Sequence, residues 1–315
     1  MIHVNCNLCG QDEWRVRFPS TMNNVAELDV DVFRCTSPGY GSHTQIVQCT
    51  QCGLVYANPR WTTEELEAAY TAVEDATYVT EREGRELTFR KHLAALEKYT
   101  GPGNGRSLLD VGAYIGVFVE VAAAAGWDAC GIEPSSWAVE QAQKRGLRVV
   151  QGTQDAQELN GQQFDVVTMW DVIEHLADPA AELQKSYRLL QPGGWLALHT
   201  MNIESVTARL LGRRWPWLMD MHLYYFSQKT LAAMLQDSGY ELVWSGTQGR
   251  YLRLGYLATR LGAFSERLGR IAKSVIDRLG LEEMPIPVNS GDLFTIYARR
   301  PEYERQPPTR PDAAA

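Results

Sequence analysis

The sequence predicts an α/β protein, a sheet with helices on both faces, preceded by a small module built on cysteines. Three observations predict it. Residues 107–116 read SLLDVGAYIG, an apolar strand running into a glycine turn; an alanine-rich helix at 117–125 follows, and a second strand at 129–132 ends in the carboxylate of Glu133. Farther on, FDVVTMWDVIEHL at 164–176 is an apolar strand that ends in polar groups, and LLQPGGWLALHT at 189–200 leads through a Pro-Gly-Gly turn into another strand. Near the amino terminus, Cys6-Asn-Leu-Cys9-Gly and Cys49-Thr-Gln-Cys52-Gly repeat one pattern.

Composition narrows the class. The chain has 315 residues, 45% hydrophobic and 22% charged, with a net charge of −8. That allows one large core and a smaller module. The acidic balance argues against a general nucleic-acid surface. No apolar run approaches the ~20 residues needed to cross a bilayer. The start, MIHVNCNLCG, lacks the charged and apolar segments of a secretion signal, and paired cysteines suit a reducing compartment, so a cytoplasmic protein is expected.

Residues 1–60 form the expected cysteine module. Glycine after the second cysteine of each pair permits the tight turn that aims backbone amides at sulfur. Cys6, Cys9, Cys49 and Cys52 supply four thiolates, enough to close a tetrahedral structural zinc site, zinc-ribbon-like in form. A closed site keeps no open position, so its role is structural. The alternative is four unligated thiols. Strands are expected at 31–35 and 45–48, and Cys35 and His43 between the pairs are candidate substitute ligands.

Residues 61–105 read as a helical cover and linker. Thr62 or Thr63 can cap a helix over 64–70. A second helix over 86–99 carries Leu87, Phe89, Leu93, Leu96 and Tyr99 at helical spacing, and a loop between the two holds Tyr78 and Arg82. Gly101-Pro-Gly-Asn-Gly105 is the expected linker. Beyond it, the order strand, glycine turn, helix, strand, acid is a recipe for holding a nucleoside. The turn lets backbone approach the ligand, and Glu133 can accept both ribose hydroxyl protons. Asp110 sits inside an apolar strand end, where a carboxylate is costly unless it serves a purpose. A helix at 136–145, a short strand at 148–150 and a helix at 181–190 continue the alternation. A last strand at 292–299 precedes a polar, proline-rich tail at 301–315, expected to be mobile.

Asp110-Val-Gly112-Ala-Tyr114-Ile-Gly116, Gly131-Ile-Glu133-Pro-Ser, Trp170-Asp171-Val-Ile-Glu174-His175-Leu and Leu190-Gln-Pro192-Gly193-Gly194 together resemble the class I S-adenosylmethionine-dependent methyltransferases. The resemblance implies a Rossmann-like seven-stranded methyltransferase sheet over 106–300, with insertions at 202–225 and 249–287. It implies that Gly112 and Gly116 admit the cofactor backbone and that Glu133 holds the ribose. Asp110 would organise the turn or meet the methionine amine, and Trp170 and Asp171 would flank the cofactor. Asp155 would approach the adenine amino group or cap a turn. Tyr78 and Arg82 would belong to a covering segment, Arg82 pairing with the methionine carboxylate or standing as a solvated helix edge. Tyr114 replaces the usual glycine.

The resemblance also implies a base. His222, in His-Leu-Tyr-Tyr-Phe-Ser, stands where many small-molecule methyltransferases carry His-Leu-x-x-Phe-Ser, and a neutral histidine there can take the acceptor's proton or serve hydrogen bonds within its loop. His175 competes, with Glu174 beside it to orient the ring; some quinone-directed relatives hold a divalent metal in such an acid and histidine cluster. The cysteine module joined to this core is similar to bacterial enzymes of sugar, polysaccharide and secondary-metabolite pathways. A hydroxyl of a sugar or secondary metabolite is therefore the expected acceptor, with carbon or nitrogen open. The aromatic insertion, with Trp215, Trp217, Tyr224 and Tyr225, reads as core or as a pocket wall or lid. Residues 249–280 read as a basic amphipathic helix ended by Pro285 and Pro287, a homodimer face or substrate lid, with membrane contact as the alternative. The rival functions are a nicotinamide dehydrogenase and a non-catalytic zinc-ribbon adaptor with a degenerate core, the latter motivated by Tyr114.

Overall fold

The computed structural model describes residues 1–22, 28, 30–34, 40–75, 78–79 and 81–302; at 260, 261, 263, 264 and 266 it describes only the backbone. The chain opens with strands β1 (Trp14–Phe18), β2 (Ile46–Cys49) and β3 (Val55–Ala57), paired antiparallel. β2 is the expected 45–48 strand. The strand expected at 31–35 is instead a 3-10 turn, Val30–Phe33. The alternation there serves one anchor, Phe33, which is buried edge-on against Tyr70 with ring centres 4.9 Å apart. Cys35 lies outside the described residues.

Two helices lead to the main sheet. α1 (Thr63–Ala72) starts at Thr62, whose hydroxyl accepts the Glu65 amide while the Glu65 carboxylate accepts the Thr62 amide, a reciprocal cap worth about 1 kcal/mol. α2 (Arg82–Thr100) begins earlier than expected, so Arg82 is its first residue rather than part of a loop. It buries Thr88, His92 and Leu96, four apart, against the sheet.

The main sheet then alternates with helices: β4 (Ser107–Val111), α3 (Val117–Ala124), β5 (Asp128–Glu133), α4 (Ser136–Gln143), β6 (Val149–Gln151), β7 (Phe164–Trp170), α5 (Pro179–Leu189) and β8 (Leu190–Met201). After α6 (Val206–Leu211) and β9 (Tyr224–Tyr225), α7 (Gln228–Asp237) and β10 (Glu241–Thr247) follow. An excursion of β11 (Arg250–Arg253), α8 (Leu254–Phe264), α9 (Glu266–Leu279) and β12 (Pro285–Val288) precedes the closing strand β13 (Leu293–Arg299). The seven-stranded order is β10-β13-β8-β7-β4-β5-β6, with β4 to β8 mutually parallel and β13 antiparallel between β8 and β10. β4 and β7 are buried along nearly their whole length, which is why they read as apolar runs. The Pro-Gly-Gly segment is taken into β8 as a bulge: Phe164 faces Leu190, but Val166 faces Trp195. Order reverses at β4, flanked by β5 on one side and β7 on the other, and ligands in open α/β sheets bind beyond the carboxyl ends of strands at such a point.

Two features differ from expectation. β9 leaves the 202–225 insertion and joins the amino-terminal strands, Val55 opposite Tyr225 and Tyr56 opposite Tyr224, making one sheet of order β1-β2-β3-β9. The segment at 249–287 is a two-stranded ribbon carrying a pair of helices, not one amphipathic helix. Pro285 and Pro287 do not end a helix; they pair with Arg253 and Tyr251 in a ribbon where each strand has a single partner, so a missing amide is tolerated. Residues 303–315 of the expected tail lie outside the described residues.

Candidate active site

A cavity of about 720 Å³ opens at the carboxyl ends of β4, β5, β7 and β8, roofed by α1, α2 and the two insertions. Glu133 is on its wall, buried, at the last position of β5. One carboxylate oxygen accepts the Tyr114 amide and the other the Ser135 amide, both at 2.9 Å. Burial raises its pKa to about 7 against the pull of those two amides. Gly112 lines the same wall at φ 70°, and a Cβ there would meet the Val172 side chain at 2.6 Å. Tyr114 takes a left-handed backbone, φ 49°, so the usual glycine's conformation is kept at a cost of about 1 kcal/mol. Its ring lies edge-on to Tyr78, centres 4.4 Å apart, and beside Trp137, lining the cavity.

The other expected cofactor residues divide. Tyr78, Trp170 and Asp171 line the cavity. Gly116 caps α3 and faces inward, where a Cβ would strike Leu147 and Ala142. Asp110 is buried behind the turn and accepts the Thr168 hydroxyl at 2.7 Å; burial raises it to about 8. It organises β4 against β7 and is not part of the lining. Asp155 is exposed and bonded to Lys185, while its neighbours Gly152, Thr153 and Gln154 line the cavity. Arg82 pairs with Glu120 outside the lining; the arginine of α2 that lines the cavity is Arg85, one turn on, 3.6 Å over the Tyr78 ring.

Glu174, His175 and His222 converge, their ligand atoms within 4.8 Å of one another. His175 Nδ1 lies 2.9 Å from the Met221 carbonyl and His222 Nδ1 2.7 Å from that of Trp217. A carbonyl only accepts, so the His222 ring carries its proton on Nδ1 and presents a bare Nε2, while His175 Nδ1 is shared between the Met221 carbonyl and the Tyr70 hydroxyl, each at 2.9 Å. Burial lowers His175 to about 4 and His222 to about 3, while burial, then Asp171, raises Glu174 to about 8. One Glu174 oxygen has no hydrogen-bond partner. A carboxyl group and two imidazoles facing one another suit a divalent cation, which would displace the carboxyl proton, or a ligand hydroxyl.

Four cavity groups escaped the sequence reading: Arg85, His92, His199 and Arg250. His199 sits opposite Trp170 in the β7–β8 register, and His92 lies on the sheet-facing side of α2 with its ring centre 4.7 Å from that of His199. The signal available for the histidines was weak: one within an apolar strand, the other after Arg90-Lys91 on a mostly polar helix.

Away from the cavity, Cys6 and Cys52 sulfurs are 3.4 Å apart, Cys9 and Cys49 3.5 Å, and all four cluster. In each knuckle the glycine amide returns to the first cysteine's carbonyl, Gly10 to Cys6 and Gly53 to Cys49. His43 is buried with its Nδ1 on the Thr44 carbonyl, outside this cluster.

A family model described as a methyltransferase domain matches residues 80–245, just over half of the chain. The chain belongs to the methyltransferase domain family. This methyltransferase-family chain is 29% identical over 161 residues to the ubiquinone biosynthesis O-methyltransferase of Bordetella avium, covering 46% of this chain and 66% of that protein. It is 39% identical over 114 residues to the protein of the same name from Methylococcus capsulatus, covering 34% and 48%. The chain thus spans between about half and just under two thirds of the length of these relatives. A chain from the complex of the Haloferax volcanii Trm112 methyltransferase activator with its methyltransferase superposes with a TM-score of 0.50 at 16% identity, covering 71% of this chain and 94% of that one. That likeness shows the fold, and the class I sheet expected from the sequence is present. No helix among the described residues is long and apolar enough to cross a membrane.

Proposed function

We propose that the protein transfers the methyl group of S-adenosylmethionine to a hydroxyl of a small-molecule acceptor, a sugar or other hydroxylated metabolite. The observation that carries this is Glu133: a carboxylate held rigid by two backbone amides, at the strand end beside the switch point, opening onto a cavity. When bound, the cofactor supplies a methyl carbon made electrophilic by its sulfonium. Glu133 accepts from the ribose hydroxyls, and Gly112 lets the chain approach. Trp170 and Tyr78 bound the cofactor space, and Asp171 and Arg85 supply charge around it. Glu174, His175 and His222 receive the acceptor hydroxyl, either through imidazole nitrogens, with His222 Nε2 bare, or around a divalent cation. Rate comes chiefly from holding oxygen and methyl in line, with a base adding about a hundredfold or more.

The relatives' name, ubiquinone biosynthesis O-methyltransferase, supports oxygen as the reacting atom and favours a second reading, an aromatic hydroxyl. The aromatic cavity wall of Tyr70, Trp170 and Trp217 is compatible with it. The four-cysteine cluster fits a structural zinc ion by donor chemistry and convergence. Titration with S-adenosylhomocysteine, followed by incubation of labelled S-adenosylmethionine with sugars and dihydroxybenzenes, tests the reading. Label in an acid-stable methyl ether supports it. No cofactor binding, with a partner captured instead, would leave the adaptor reading standing.

A further inference from the structure

The cavity holds a second polar wall, distinct from the Glu174–His175–His222 cluster. His199 is 2% exposed, and its Nδ1 lies 2.8 Å from the Thr295 hydroxyl oxygen. The direction of that bond follows from the next two links. Gln248 donates its amide nitrogen to the Tyr297 hydroxyl, so its carbonyl oxygen faces Thr295 at 2.9 Å. A carbonyl oxygen cannot donate, so the Thr295 hydroxyl proton goes to Gln248 and its oxygen must accept from His199 Nδ1–H. His199 therefore presents a bare Nε2 lone pair to the cavity, and that atom has no hydrogen-bond partner.

What faces the lone pair is another acceptor. Asp171 Oδ1 lies 3.8 Å from His199 Nε2, and Asp171 Oδ2 lies 3.5 Å from Arg250. Asp171 also takes a left-handed backbone, φ 56°, an uncommon conformation for a non-glycine residue, cheapest for Asn and Asp. Beside the pair, His92 is 2% exposed, its ring centre 4.7 Å from that of His199. A buried ring nitrogen with no partner is costly and is relieved by a donor, and the Asp171 side chain, 38% exposed, leaves such a donor a way in from the cavity.

We propose that His199 Nε2 and Asp171 Oδ1 form a second acceptor subsite that holds a hydroxyl group other than the one methylated, so that the enzyme takes acceptors carrying at least two hydroxyls and this contact decides which of them meets the methyl. The inference rests on the methyl-transfer reading and adds to it the substrate class and a specificity-determining residue. Gln248 and Thr295 act as positioning residues, through the tautomer of His199 alone.

Two measurements test it. In protein labelled with ¹⁵N-histidine, with S-adenosylhomocysteine added, the His199 resonances, assigned by their loss in His199→Phe, should show Nδ1 protonated and Nε2 bare. Thr295→Val should let the Nε2-protonated form appear. A wild-type ring protonated on Nε2 overturns the proposal. The second measurement is calorimetric titration with catechol and with phenol in the presence of S-adenosylhomocysteine. The wild type should bind catechol at least tenfold more tightly, because a site built for a hydroxyl penalises its absence, and His199→Phe should erase that preference. Equal affinity for the two probes, or a preference that survives His199→Phe, overturns it. Binding of S-adenosylhomocysteine itself is read in the same titrations, so loss of the cofactor site, which would sink the methyl-transfer reading, is seen separately from loss of the subsite.

Discussion

Glu133 gives both oxygens to backbone amides, yet each oxygen keeps a lone pair for a ribose hydroxyl. The proposed ribose contact needs the carboxylate, and burial holds the free group's pKa at about 7. Cofactor binding therefore expels a proton wherever Glu133 is protonated. Affinity for S-adenosylhomocysteine should rise by up to tenfold per pH unit from about 5 to about 7 and level off above. Glu133→Gln should flatten that profile and weaken binding about ten- to a hundredfold at pH 8, as read by calorimetry. His175→Ala and His222→Ala should each lower turnover about a hundredfold with cofactor affinity unchanged. Unchanged turnover in both would remove them as proton acceptors. Glu133 was legible because a strand end after a glycine turn leaves little choice of direction. Arg82 and Asp155 were not, because their partners, Glu120 and Lys185, lie 38 and 30 positions away. His199 was illegible for the same reason: its meaning depends on Thr295 and Gln248, distant in sequence.

At the scale of elements, the three-residue pairing of the cysteine strands is extended by β9, which begins two residues after His222 and sets Tyr224 against Arg60 at 3.0 Å. Cys49→Ser removes one of the four clustered thiols, in the knuckle ahead of β3. It should lower the melting temperature, measured by calorimetry, and weaken acceptor binding while sparing S-adenosylhomocysteine affinity. A strong chelator should do the same to the wild type if the cluster holds zinc. The aromatic insertion was expected as core or wall, and it is both: Trp215 is fully buried with its indole N–H on Asp292, whereas Trp217 lines the cavity. Trp215→Ala should cost about 3–5 kcal/mol in denaturant unfolding. Leu268, on the exposed apolar side of α9 with Ile271, Val275 and Leu279, should tolerate Ser within about 0.5 kcal/mol. The 249–287 segment misled because apolar spacing continues through α8 and α9, while the ribbon that anchors them depends on pairing between residues 250–253 and 285–288.

Across the whole molecule, the alternating half of the chain was readable and the excursions were not. Parallel strands buried on both faces announce themselves as unbroken apolar runs, and their helices carry caps at Ser135, Asp178 and Ser227. The order of strands follows from right-handed crossovers once those units are seen. Nothing comparable governs how a late loop finds an early strand. β9 contributes two residues, too short for any periodicity, and its partner precedes it by more than 160 positions.

That late loop gives the sulfur cluster a reach beyond its own neighbourhood. If the cluster holds the zinc ion its thiols fit, losing that metal or oxidising the thiols would loosen the hem that keeps His222 in place while the proposed nucleoside crevice on the far strands stayed intact. The protein would go on sequestering its methyl donor and stop delivering it, and any attempt to graft a new acceptor loop onto this scaffold must carry the cysteine knuckles along with it.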